Sequence, residues 1–168
     1  MFDMMHDMRP RRFVSAMLLA LTVHASFAAT QQLAVQDEGG KKTILAAAEI
    51  EALPHVKVTT GASGATATFE GVALRAVLEK AGVALGETLK GKRMASCLLV
   101  EAADGYRVVI ALPEIDPAFS DKQVVLAFLK DGKRLDDKEG PYRLVIPDEK
   151  RMARWVRQVT TLKIVDVQ

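Results

Sequence analysis

The chain has 168 residues, 49% hydrophobic, 26% charged and 5% aromatic, with a formal net charge of +2, one cysteine and three histidines. That length suits one domain, and the composition excludes a disordered, collagenous or disulfide-stapled chain. The near-neutral balance gives no footing to a nucleic-acid binder, which carries a marked basic excess.

Rare residues crowd the N-terminus: five of the seven Met, three of the six Phe and two of the three His lie in residues 1–28. Arg9, Arg11 and Arg12 precede an apolar run from Phe13 to Val23, and Ser26-Phe27-Ala28 puts small residues at the −3 and −1 positions of a cleavage site. The run is about half the roughly 20 residues a membrane-spanning helix needs, so it predicts a secretory signal peptide over 1–28 and no membrane span after its removal. Met8 offers an alternative start, and Arg11-Arg12 before Phe13-Val14 hints at twin-arginine export, with Phe one place early. The expected location is periplasmic or secreted. Without the leader 140 residues remain, with 20 basic and 19 acidic side chains, Cys97 and His55. A lone thiol forms no internal disulfide, and one Cys with one His falls short of a zinc cluster. A Ser-His or Cys-His nucleophile would depend on His55 alone.

Residues 29–42 form an N-terminal polar segment with one short strand at Leu33–Val35, and 43–168 form the main domain. Thr43 is placed to cap a helix over Ile44–Leu53, with Pro54 as its stop. His55–Thr60 and Ala65–Phe69 read as a hairpin about Gly61-Ala62-Ser63-Gly64. Gly71 opens a helix over Val72–Ala81, whose stripe is Val72, Leu74, Val77, Leu78 and Ala81, and Gly82 ends it. Met94–Ala102 and Tyr106–Leu112 are strands joined by the turn Ala103-Asp104-Gly105. Pro113–Phe119 is a short helical or turn segment, Val124–Leu129 a buried strand, and Asp131-Gly132 a turn. A polar loop leads to Pro141–Pro147, and Ala153–Val156 and Thr160–Val167 read as closing strands. The fold class is α+β: a β-rich mixed-sheet domain with a few short helices.

Individual candidates for chemistry have plain structural readings. Cys97 has apolar neighbours and no nearby base, as a buried structural thiol does. His55 suits a strand edge, and Asp104 before Gly105 suits turn geometry. The basic stretch Arg143, Lys150, Arg151, Arg154 and Arg157 is more informative, because arginine's planar fork suits bidentate contact with phosphate or carboxylate. Its plainer alternative is a solvated charged edge with arginine stacked on Trp155.

The order of motifs adds a family. Phe69-Glu70-Gly71-Val72-Ala73-Leu74 with Val77–Val83, then Ala103-Asp104-Gly105-Tyr106, Leu126-Ala127, Asp131–Leu135, Gly140–Pro147 and Arg154-Trp155-Val156 follow one another over about residues 43–167. This series resembles the oxidoreductase molybdopterin-binding domain, the fold of sulfite oxidases and of periplasmic methionine-sulfoxide-reductase catalytic subunits. The resemblance implies a molybdopterin whose phosphate is held by basic side chains and backbone amides, with Arg143 and Arg154 as the cofactor-binding residues and Asp104 and Tyr106 lining the entrance. It also implies a cysteine thiolate on the strand before the Phe-x-Gly-Val element, as ligand to molybdenum. Here that stretch, Val56–Ala62, has no cysteine, neither Thr59 nor Thr60 replaces a thiolate, and Cys97 falls after the helix on another strand. The cofactor expectation is therefore molybdopterin with molybdenum in doubt and no metal ligand assigned.

The functional expectation is an exported sulfite-oxidase-like domain that binds a molybdopterin-type or other anionic ligand without full redox activity. The alternatives are a molybdenum-pterin oxidoreductase performing oxotransfer on a small substrate, and a module that docks a periplasmic protein partner.

Overall fold

Alternating apolar residues, one face in and one face out, build most of the molecule; the computed structural model describes residues 31–61 and 66–166. The elements are β1 (Gln32–Gln36), β2 (Lys42–Ala46), α1 (Ala47–Glu51), β3 (His55–Thr60), β4 (Ala67–Ala73), α2 (Leu74–Lys80), β5 (Ser96–Ala102), β6 (Arg107–Ala111), α3 (Leu112–Ile115), β7 (Val125–Lys130), β8 (Lys133–Arg134), β9 (Arg143–Val145) and β10 (Val159–Asp166). The signal-peptide reading of residues 1–28 and the tip of the turn after Gly61 lie outside the described residues.

Two sheets share one core. The first runs β2-β1-β10-β5-β6, with β1 parallel to β10 and antiparallel to β2; the second runs β3-β4-β7-β8, with β9 also paired to β7. In the first sheet Leu33 and Val35, Leu162 and Ile164, Leu98 and Val100, and Val108 and Ile110 turn inward, each pair two residues apart. In the second, the consecutive residues Val125, Leu126, Ala127 and Phe128 are all buried, the pattern of a strand covered on both faces. The result is the β-rich α+β fold, with mixed sheets and helices of five, seven and four residues.

Three local expectations are corrected. Thr43–Ala46 is strand, not the start of a helix: the segment pairs with β1 from Lys42↔Gln36 to Ala46↔Gln32, and Thr43 Oγ1 donates to the Ala81 carbonyl (3.3 Å) instead of capping. The helix begins only at Ala47, where Glu49 Oε2 accepts the Ala46 N–H (2.9 Å). Gly71 lies inside β4, and α2 begins at Leu74. The reason is close approach: a Cβ on Gly71 would sit 2.1 Å from the Leu126 carbonyl oxygen and 2.5 Å from Ala127 Cα, beside the bulge between Glu70 and Gly71. Finally, Met152–Arg154 is a 3-10 turn rather than a strand, closed by Trp155 N–H to the Met152 carbonyl (3.1 Å). The pairing that the apolar pattern of Trp155-Val156 foreshadows is reduced to one bond from Leu144 N–H to the Val156 carbonyl (2.7 Å).

Candidate anion site

Three separated loops line a half-open cavity of about 360 Å³. The first is the β5–β6 turn: Gly105 has φ +83°, its N–H bonds the Ala102 carbonyl (3.1 Å), and Asp104 Oδ1 accepts the Tyr106 N–H (2.9 Å). The turn therefore delivers Asp104 and Tyr106 together to the wall. The Tyr106 hydroxyl donates to the Ala153 carbonyl (2.6 Å), tying the first loop to the third.

The second loop precedes β9. Asp136 organises it, its Oδ1 accepting the N–H groups of Lys138 and Glu139 (3.0 Å each) and its carbonyl accepting from Gly140 (2.7 Å). A cis peptide then links Gly140 to Pro141, and the chain enters β9 with Arg143 on the cavity wall beside Glu139. The third loop supplies Met152, Ala153, Trp155 and Arg157; the Trp155 indole is anchored by its N–H to the Ile146 carbonyl (3.0 Å).

Arg143 is the centre of the arrangement. Its guanidinium carbon lies 5.2 Å from the Phe69 ring centroid and 5.6 Å from that of Trp155, and the two rings meet edge to face at 5.8 Å. The hallmark residues of three distant motifs thus form one cation–aromatic cluster. The Arg143 side chain is 9% exposed and donates from Nη1 to Glu139 Oε1 (2.5 Å). Among the described residues its buried Nε has no acceptor and its Nη2 makes no hydrogen bond. Glu139 is shared with Lys130 (3.4 Å), whose ammonium stands 5.7 Å from the Phe69 centroid. Arg157 is exposed on the cavity wall with no protein hydrogen bond or ion pair among the described residues.

The other sequence candidates fall elsewhere. Arg154 does not line the cavity. Its Nε donates to Glu149 (2.7 Å), its Nη groups reach Glu114 (3.3 and 3.4 Å), and Nη1 lies 3.5 Å from the Val109 carbonyl on the β6 edge. Burial works against ionisation of Glu114, yet Lys122 and Arg154 hold its carboxyl below the usual range. Cys97 is buried on β5 with Sγ 3.6 Å from the Val165 carbonyl, and burial, with Asp166 nearby, pushes its thiol up. Thr59, on the strand where the resemblance expects a thiolate, pairs its hydroxyl with that of Thr68 (3.0 Å) and is not part of the cavity wall. Glu139 was not singled out in the sequence; its one signal is its place directly before Gly140-Pro141. Arg157 was legible only as a member of the basic run.

Chemically, the lining offers cations, two carboxylates and aromatic faces, and no thiolate. Among the described residues no group of three His, Cys, Asp or Glu side chains is placed to hold a metal ion. The arginines on the wall suit the anionic part of a cofactor, whereas the metal-binding part lacks the thiolate that the resemblance calls for; the sulfur on the wall is the thioether of Met152.

The family model described as "Oxidoreductase molybdopterin binding domain" matches residues 20–168. No curated protein shows a significant match. Among solved structures 23 chains match, including the sulfane dehydrogenase SoxCD from Paracoccus pantotrophus, with a TM-score of 0.62 and 21% identity over 81% of this chain. The match spans 38% of that SoxCD chain, and at this identity the likeness speaks for the fold alone.

Proposed function

Because the chain belongs to the oxidoreductase molybdopterin-binding domain family, we propose that it is an exported domain holding a molybdopterin-type or other phosphate-bearing ligand in the three-loop cavity, without the family's full redox activity. The observation that carries this reading is Arg143, flanked by Phe69 and Trp155, with Nε and Nη2 lacking acceptors among the described residues, on the same wall as Arg157, which has no partner among them either. An arginine fork with free donors is matched by the paired oxygens of a phosphate or carboxylate. Asp104 and Glu139 add acceptors for ligand N–H groups, so a ligand carrying both an anion and ring N–H donors uses more of the wall than a bare anion does. In the family, a bound molybdenum–pterin supplies two-electron oxotransfer. Here the protein's own groups bind and orient; with the one thiol sealed on β5, they offer no thiolate to tune a metal.

Export rests on the residue pattern of 1–28, and N-terminal sequencing of protein from a cell-envelope fraction tests it; a chain still beginning near Met1 or Met8 refutes cleavage. Among the described residues no helix is long and apolar enough to cross a membrane. For the ligand, protein from its own export route is analysed for molybdenum and for fluorescence of oxidised pterin. Pterin without stoichiometric metal supports the proposal. Stoichiometric molybdenum favours the oxidoreductase reading, and neither metal nor pterin, with a melting temperature unmoved by added phosphate-bearing ligand, favours partner docking.

A further inference from the structure

We propose that Glu139 is a latch on Arg143: its carboxylate holds one end of the guanidinium in the free protein, and the cavity takes up an oxyanion by exchanging that contact. The inference rests on the reading of the cavity as an anion site. Phe69 at 5.2 Å and Trp155 at 5.6 Å, their centroids 5.8 Å apart, flank the Arg143 guanidinium on the same side, and its N–H donors point in its own plane, so new hydrogen bonds form only there. In that plane Nη1 is taken by Glu139, while the Nε and Nη2 donors, which together make one side of the fork, have no acceptor among the described residues. Nε is also sealed from solvent in this orientation. An incoming phosphate therefore reaches the open side only when the guanidinium turns, and the Glu139 contact is what holds it from turning.

Glu139 is placed to let go. Its backbone is fixed, with its N–H bonded to Asp136 and its carbonyl accepting from Gln158 N–H (2.9 Å), so only the side chain needs to move. Lys130, 3.4 Å away and 40% exposed, keeps the released carboxylate paired, which removes the penalty of stranding a charge. Arg157, exposed at the wall with no partner among the described residues, supplies the first attraction for the anion. The latch makes the site selective: a bare oxyanion must displace a carboxylate, whereas a ligand that also brings an N–H donor can satisfy the displaced Glu139.

Trp155, the chain's only tryptophan, reports the exchange because it touches both Arg143 and the cavity. The test is a fluorescence titration of the full chain with inorganic phosphate. Glu139→Gln is expected to bind phosphate at least tenfold more tightly than the parent, while Glu114→Gln, which alters the Arg154 cluster outside the cavity, binds as the parent does. Asp104→Asn removes the other cavity carboxylate without touching Arg143; a gain equal to that of Glu139→Gln means plain charge removal and overturns the latch. Equal phosphate affinity in the parent and Glu139→Gln also overturns the latch while leaving the anion site standing. No response in any variant overturns the anion site and the latch with it. Where Glu139→Gln fails to fold by circular dichroism, Glu139→Asp, which keeps the charge but shortens its reach, is expected to tighten binding at least threefold; no tightening overturns the proposal.

Discussion

Arg143 and Arg154 belong to one basic stretch, yet the fold gives them opposite situations. Arg154 is saturated: two carboxylates and a β6 carbonyl consume its fork, and it closes the outer edge of the first sheet. Arg143 has one ion pair, two aromatic walls and an open side. A cation is available for binding when its donors outnumber its protein acceptors, and its charge alone says nothing about that.

The comparison breaks most sharply at Gly71. Its strand β4 also carries Phe69, and its missing Cβ lets β4 lie against β7. Gly71→Ala drives a methyl into the β7 backbone, so it is expected to destabilise by about 3 kcal/mol and to loosen the Arg143 cage while leaving the Arg154 cluster assembled. Thermal denaturation, with Trp155 fluorescence as the local probe, checks it; a loss below about 1 kcal/mol would show that the strands relax freely.

The two arginines are then exchanged for methionine. Arg143→Met is expected to weaken binding of a phosphate-bearing ligand by more than about 1.5 kcal/mol, the lower range for charge-assisted bonds. Arg154→Met is expected to cost about 1 kcal/mol of stability, as partly exposed ion-pair networks do, with ligand affinity unchanged. Calorimetric titration and melting of both variants separate the roles, and loss of affinity in the Arg154 variant would return it to the binding site.

A smaller effect comes from Tyr142, next to Arg143. Its buried hydroxyl has no partner among the described residues, and burial pushes the phenol up to about 12. Tyr142→Phe removes an unsatisfied group, so stability is expected to hold or rise by up to about 1 kcal/mol. A clear drop in chemical denaturation would reveal a partner for the hydroxyl, such as an internal water.

The smallest effect tests a cation that, unlike either arginine, can lose its charge. His55 Nδ1 faces Glu70 Oε1 (2.9 Å) and Nε2 faces the Glu51 carbonyl (3.0 Å), two acceptors that together require both ring nitrogens to donate. The Glu70 bond, then the Glu51 carbonyl, raises the histidine pKa above its ordinary value. A raised folded pKa gives stabilisation that is complete below the unfolded value of about 6.5 and is lost as pH rises through the higher folded value. A modest fall in melting temperature between about pH 6 and 8 is expected in the parent and absent in His55→Asn. The same slope in both would place the titration elsewhere.

Much of the framework was legible from residue order. The strands at Leu33–Val35, His55–Thr60 and Val124–Leu129 stand close to where alternation or an apolar run put them, because burial on one or both faces writes itself into spacing. The motif segments around Asp104, Arg143 and Trp155 were likewise visible, and the fold brings all three to one cavity. Thr43–Ala46 was misread because a short, half-buried edge strand carries the same few apolar residues as a short helix, and only its pairing with β1 decides. Gly71 was misread because a glycine that opens a helix and one that admits a neighbouring strand look alike until the neighbour is known.

The sequence alone determined the fold class, the family, and the absence of a thiolate on the strand where the resemblance expects one. Which arginine has donors to spare was decided only by the tertiary structure. Charge is a property of a residue, but unsatisfied hydrogen bonding depends on which carboxylates the fold brings near: Glu114 lies 40 positions from Arg154, and Phe69 lies 74 positions from the Arg143 it cages.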